Sequence, residues 1–113
     1  MWLYALALTS ISLFQASAFP SEEEQARISR PYSECLKAAA ERDDDGQSDI
    51  AVIGKAVAAD CKAEFDQMIA ALGQSLSAED RQTLNASLST MQIGYATAAV
   101  RQVRTHRRGP INH

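Results

Sequence analysis

Three groups of side chains in this chain have types and spacings that could do chemistry. The first is acidic. Glu41, Asp43, Asp45 and Asp49 alternate around Gly46. Carboxylate oxygens at such offsets, bent round a glycine, suit a hard divalent cation such as calcium. Asp43, Asp45 and Asp49 are therefore candidate metal ligands in a cation-binding loop at 41–49. The second group is basic. Arg101, Arg104, Arg107 and Arg108 crowd the end of the chain with no acid among them. On a helix, Arg101, Arg104 and Arg108 would share one face, a patch able to meet anionic lipid, polyanionic glycan or an acidic partner surface. Their plainer role is to complement the negative end of a helix dipole. The third group is the chain's two cysteines, Cys35 and Cys61.

The cation reading has gaps. Set in the frame of an EF-hand calcium loop with Gly46 as its glycine, Glu41 occupies the first position, where Asp is usual. Ser48 stands where an apolar residue belongs, and Val52 stands where a bidentate glutamate must close the site. The chain is not assigned to that family, and a solvated acidic turn accounts for the same residues. Catalysis has less support. His106 and His113, the only histidines, both lie in the tail. No Ser–His–acid set, nucleophile elbow or glycine-rich phosphate loop is present, nor is the Cys/His spacing of a zinc site. Asp60 and Glu64, one turn apart, read as exposed helix surface. The expectation is a protein that is not an enzyme and has no cofactor, calcium aside.

The elements that must position these groups begin after an N-terminal leader. No residue from Met1 to Ala18 carries a charged side chain, and the stretch ends in Ala16-Ser17-Ala18. That is the small-x-small pattern of a signal peptidase site, with cleavage after Ala18. The rival reading is a retained membrane anchor. A spanning helix wants about 20 apolar residues, and Thr9, Ser10, Ser12 and Gln15 dilute this stretch. Residues 1–18 are thus read as a signal peptide, 19–105 as a helical domain and 106–113 as a basic flexible tail. The protein is expected in the periplasm or outside the cell, with membrane contact only if the leader is retained. Export to an oxidising compartment favours a Cys35–Cys61 disulfide, and closing a loop of about 27 residues would contribute about 3 kcal/mol in the chain-entropy model.

Composition points to helix. Alanine is abundant and aromatics form 6% of the chain, and alanine is the strongest helix former. The net charge of −3 argues against nucleic acid, which needs a basic face. Ser21 caps a first segment at 21–29, and Pro31 interrupts it, since proline lacks the amide hydrogen and clashes with the preceding turn. A second segment runs from Pro31 to Arg42, with Tyr32, Cys35, Leu36 and Ala39 on one face. Asp43-Asp44-Asp45-Gly46-Gln47 form a linker. Ser48 then caps a long helix whose stripe is Ile50, Ile53, Val57, Cys61, Phe65, Met68 and Leu72, the strongest periodicity in the chain. Gly73 stops it. Ser77 caps a last helix with Leu84, Leu88, Met91, Tyr95 and Ala98 as its stripe, fraying near Arg104.

The result is an all-α fold, a small antiparallel bundle of three main helices. One strain accompanies it. Counting residues from the linker places Cys35 and Cys61 about 9 Å out of step along the helix axes, whereas a disulfide needs Cα atoms within about 7 Å. Elimination leaves a binding or interaction module. A protein partner would need an exposed apolar patch, for which Ile93 and Val100 are candidates. A carrier of a small apolar ligand would need a cavity among residues such as Phe65, Met68, Met91 and Tyr95.

Overall fold

The computed structural model describes residues 19–108. The leader with Ala16 and Ala18, and the last residues from Gly109, lie outside that range. Four helices fill it: α1 (Glu22–Asp43), α2 (Ile50–Asp60), α3 (Lys62–Leu72) and α4 (Ala78–Arg108). No strand occurs among the described residues. The chain runs up through α1, down through α2 and α3, and up again through α4. Contacts fix that course, because Tyr32 of α1 meets Tyr95 of α4 and, further along both helices, Asp44 meets Arg104.

α1 starts where its sequence dictates. The Ser21 hydroxyl accepts the Glu24 amide at 3.2 Å, and three glutamates face the positive end of the dipole. Pro31 does not divide the helix, which runs unbroken from Glu22 to Asp43. The physical reason lies in which side proline faces. Pro31 and Arg27, whose carbonyl loses its amide donor, are both exposed, so water can satisfy that carbonyl. Tyr32, Leu36, Ala39 and Ala40 meanwhile hold the opposite face in the core. Packing offsets a local penalty of about 3 kcal/mol.

The long helix expected from Ser48 to Leu72 is bent into α2 and α3 at Cys61. The bend keeps its hydrogen bonds on either side: the Cys61 amide donates to Val57 at 3.1 Å, and the Phe65 amide donates to Cys61 at 3.0 Å. The apolar stripe therefore continues through it. Ile53, Val57, Cys61, Phe65, Met68 and Leu72 are all buried. The cap is Asp49, not Ser48, with its carboxylate accepting the Ala51 amide at 3.1 Å.

Cys35 and Cys61 form a disulfide, with Cα atoms 5.8 Å apart. The stagger shrinks because α1 ends a residue later than expected and the cap of α2 lies a residue later, at Asp49.

On α4 the core face differs from the expected stripe. Ala96, Val100 and Val103 are buried, Leu84, Leu88 and Tyr95 are half-buried, and Met91 and Ile93 are 48% and 44% exposed. Val100 is sealed entirely within the chain, so the apolar patch expected of Ile93 and Val100 together is not formed. α4 changes partner along its length: Arg81 lies against Gly73 at the end of α3, whereas Tyr95 meets Tyr32 of α1 and Thr97 meets Gly54 of α2. α4 comes close to α2 at Gly54, where a Cβ would stand 2.6 Å from Thr97 Oγ1. The helix also continues to Arg108, past the fraying expected near Arg104.

Candidate functional site

The acidic linker does local structural chemistry. Gly46 adopts a φ of +77°, the left-handed turn that glycine tolerates. Asp45 accepts the Gln47 amide at 2.9 Å and the Ser48 amide at 2.8 Å, and its other oxygen takes the Ser48 hydroxyl. These bonds hold its carboxyl far below the usual aspartate range. Asp49 caps α2. Asp43 faces Asp60, whose carboxylate pushes it upward, and Arg42 pairs with both at 3.1 Å and 2.8 Å. The three carboxylates proposed as cation ligands thus turn to three different partners. Among the described residues no group of three or more His, Cys, Asp or Glu side chains is placed to hold a metal ion.

The residue that sequence reasoning passed over is Asp44. Its side chain is fully buried and receives Arg104 through Nε at 3.0 Å and Nη2 at 2.8 Å, both to Oδ1. The Gly46 amide adds a bond at 3.0 Å, and Arg107 reaches the other oxygen at 3.3 Å. Arg104 also donates to the Ser48 carbonyl at 2.6 Å, and Arg107 to the Glu41 carbonyl at 2.8 Å. The guanidinium of Arg104 is the main reason the Asp44 carboxyl lies below its ordinary range. Two of the four arginines proposed to face an anionic partner are therefore turned inward. They clasp the end of α4 to the linker, the Arg107 side chain remaining 47% exposed, and Arg101 and Arg108 are exposed too.

A groove of about 450 Å³ runs between α1 and α4, with α3 beneath it. That volume is in the range of small-molecule sites. The floor is apolar: Tyr32, Leu36, Met68 and Leu72 are buried there, and Leu88 and Tyr95 are half-buried. The rim is polar and uncharged except at one point. Ser33 and Lys37 line it from α1, and Ala98 and Gln102 line it from α4. Among the described residues no carboxylate lines the groove and none lies within ion-pair distance of Lys37.

Tyr32 is the centre of this site. Its ring packs on Phe65 at 5.3 Å and meets Tyr95 edge-on at 6.4 Å. The residue is 4% exposed, and its buried hydroxyl has no hydrogen-bond partner among the described residues. Burial and the neighbouring Tyr95 push the phenol up to about 12. The group is therefore neutral at any ordinary pH and keeps a proton to donate. Periodicity placed Tyr32 on the inner face of its helix, but nothing in the sequence said that its hydroxyl would go unmet. Of the residues named in advance for a ligand cavity, Met68 and Tyr95 line the groove. Phe65 lies behind Tyr32, and Met91 stands outside, touched by the Tyr95 hydroxyl at 3.6 Å. No protein-family model, no curated protein and no solved structure matches this chain.

Proposed function

We propose that this chain is an exported, non-catalytic binding protein that carries a small apolar ligand in the groove between α1 and α4. The observation that carries the reading is the groove itself, about 450 Å³, with a floor of Tyr32, Leu36, Met68 and Leu72. A mainly apolar lining with a few polar groups at its edge is the usual make-up of a small-molecule site. A docking patch for a protein is less well supported, since Val100 is sealed in the core.

Export rests on the uncharged leader ending in Ala16-Ser17-Ala18 and fits a disulfide-bonded fold. Among the described residues no helix is long and apolar enough to cross a membrane.

The test is a titration of the disulfide-bonded protein with an environment-sensitive apolar dye, repeated on Ala98→Trp. Ala98 is exposed on the rim, so the indole fills the groove without entering the core. Saturable binding by the native chain and its loss in the variant are expected. Equal binding by both proteins rejects the groove as the site.

A further inference from the structure

We propose that a second copy of this chain docks antiparallel along α4, about a two-fold axis at Met91, an association that does not depend on the ligand reading above. Asp80, Leu84, Ser87, Met91, Gly94, Ala98 and Arg101 follow one another in alternating steps of four and three. That is the heptad period, which keeps one face of a helix turned toward a neighbouring helix. Among the described residues little covers this face: Leu84 is half-buried, and the others are exposed, Met91 by 48%. Neither Val100, sealed in the core, nor Ile93, on the far side of the helix from Met91, belongs to it.

The face is its own complement. Laid antiparallel on a copy of itself and centred on Met91, it sets Asp80 against Arg101 of the second copy, Leu84 against Ala98, Ser87 against Gly94, and Met91 against Met91. Acid meets base, a large side chain meets a small one, and two small residues let the backbones approach. A two-fold interface needs such self-complementarity, each contact being made twice. Parallel pairing would set Asp80 on Asp80 and Arg101 on Arg101, so charge selects the antiparallel direction. Among the described residues neither Asp80 nor Arg101 has an ion-pair partner in its own chain. Arg81, the cation beside Asp80, is engaged elsewhere, its stem lying against Gly73. Gly94 weakens its own helix, and nothing in this chain lies within 4 Å of the Cβ it lacks; a second helix gives that gap a use. Ala98 also rims the groove, so the copy's helix would border the groove. The contact spans about 32 Å of helix, at the low end for a specific interface, and the dimer should dissociate at micromolar concentrations.

The experiment is sedimentation velocity of the disulfide-bonded protein, from low micromolar to submillimolar concentration. A monomer passing to a dimer across the series is expected. Met91→Lys sets two ammonium groups face to face at the axis and should leave a monomer throughout, with circular dichroism and the thermal midpoint of the dilute protein unchanged because Met91 is exposed. Asp80→Arg and Arg101→Asp each create two like-charge pairs and should each weaken the dimer about tenfold, the equivalent of 1.4 kcal/mol. The double variant restores opposite charges with their signs exchanged and should recover most of the affinity. High salt should shrink these differences. A native chain that stays monomeric throughout overturns the proposal. A dimer that survives Met91→Lys overturns the face, and a double variant no better than the single ones overturns the antiparallel register. The dye titration is run on the dilute monomer, so its outcome bears on the groove alone.

Discussion

Asp44 and Tyr32 are both buried polar residues at the inner side of α1, and they differ in what meets them. Asp44 is satisfied several times over by Arg104, Arg107 and Gly46. Breaking a buried pair from one side leaves the other charge uncompensated. Asp44→Asn should therefore lower the thermal midpoint by several degrees at pH 7, whereas Asp45→Asn, which disturbs only a local exposed turn, should lower it less. The pH dependence has a definite sign. Because the folded-state carboxyl lies below its ordinary value, its contribution is fully present above the unfolded aspartate pKa of about 4 and is lost as pH falls through the folded value. Thermal melts of wild type and Asp44→Asn should converge as pH drops below about 4. A gap that stays constant down to pH 2 would show that Asp44 is not the group responsible. Both partners were legible in principle. Asp44 follows Ala40 by one turn and Arg104 follows Val100 by one turn, so each extends an inward stripe. The cation-loop offsets drew attention to its neighbours Asp43 and Asp45.

At the scale of the element, the approach of α2 to α4 depends on one missing side chain. Gly54 faces Thr97 so closely that a methyl group would stand 2.6 Å from its hydroxyl oxygen and 3.4 Å from its backbone Cα. Thr97 is itself tied down, its hydroxyl donating to the Ile93 carbonyl at 2.7 Å. Gly54→Ala should cost about 1–3 kcal/mol from overpacking, despite alanine's better helix propensity. Gly94, also inside a helix, has nothing within 4 Å of its would-be Cβ, and Gly94→Ala should stabilise by about 0.5–1 kcal/mol. Urea midpoints that move in opposite directions are the expected result; a stabilised Gly54→Ala would mean that the two helices do not approach as described. The helix extents show which signals a sequence carries. Regular spacing found the stripe from Ile53 to Leu72, and Ser21, Gly46 and Ser77 marked their boundaries through local hydrogen bonding and backbone freedom. Pro31 misled because a proline's effect depends on whether its turn faces water. The face of α4 misled because two apolar stripes compete along it, and only the neighbouring helices select Ala96, Val100 and Val103 over Met91 and Ile93.

Taken whole, the molecule is held at two places along α1: by the disulfide from Cys35 to the bend at Cys61, and by the Asp44 clasp on α4. A domain this small buries a modest core, so the covalent link matters. Reducing it should lower unfolding free energy by about 2–4 kcal/mol, read as a drop in the urea midpoint followed by far-UV circular dichroism. An unchanged midpoint would mean that the bridge restrains little of the unfolded chain. The pairing itself was legible from two cysteines and an N-terminal stretch that reads as an export signal. The groove was not, since it arises from the separation of two helices that are not consecutive in the chain.

That arrangement also has a consequence in time. The groove's walls come from the first helix and the last, so the site has no existence until the chain is complete. A polypeptide emerging N-terminus first can form α1, α2 and α3 and close its cysteine bridge while α4 is still unmade, but Tyr32 then faces open water and not Tyr95. Whatever the cell offers during synthesis and transit meets a chain with one wall missing. The ligand proposed for the groove could be taken up only once α4 has docked.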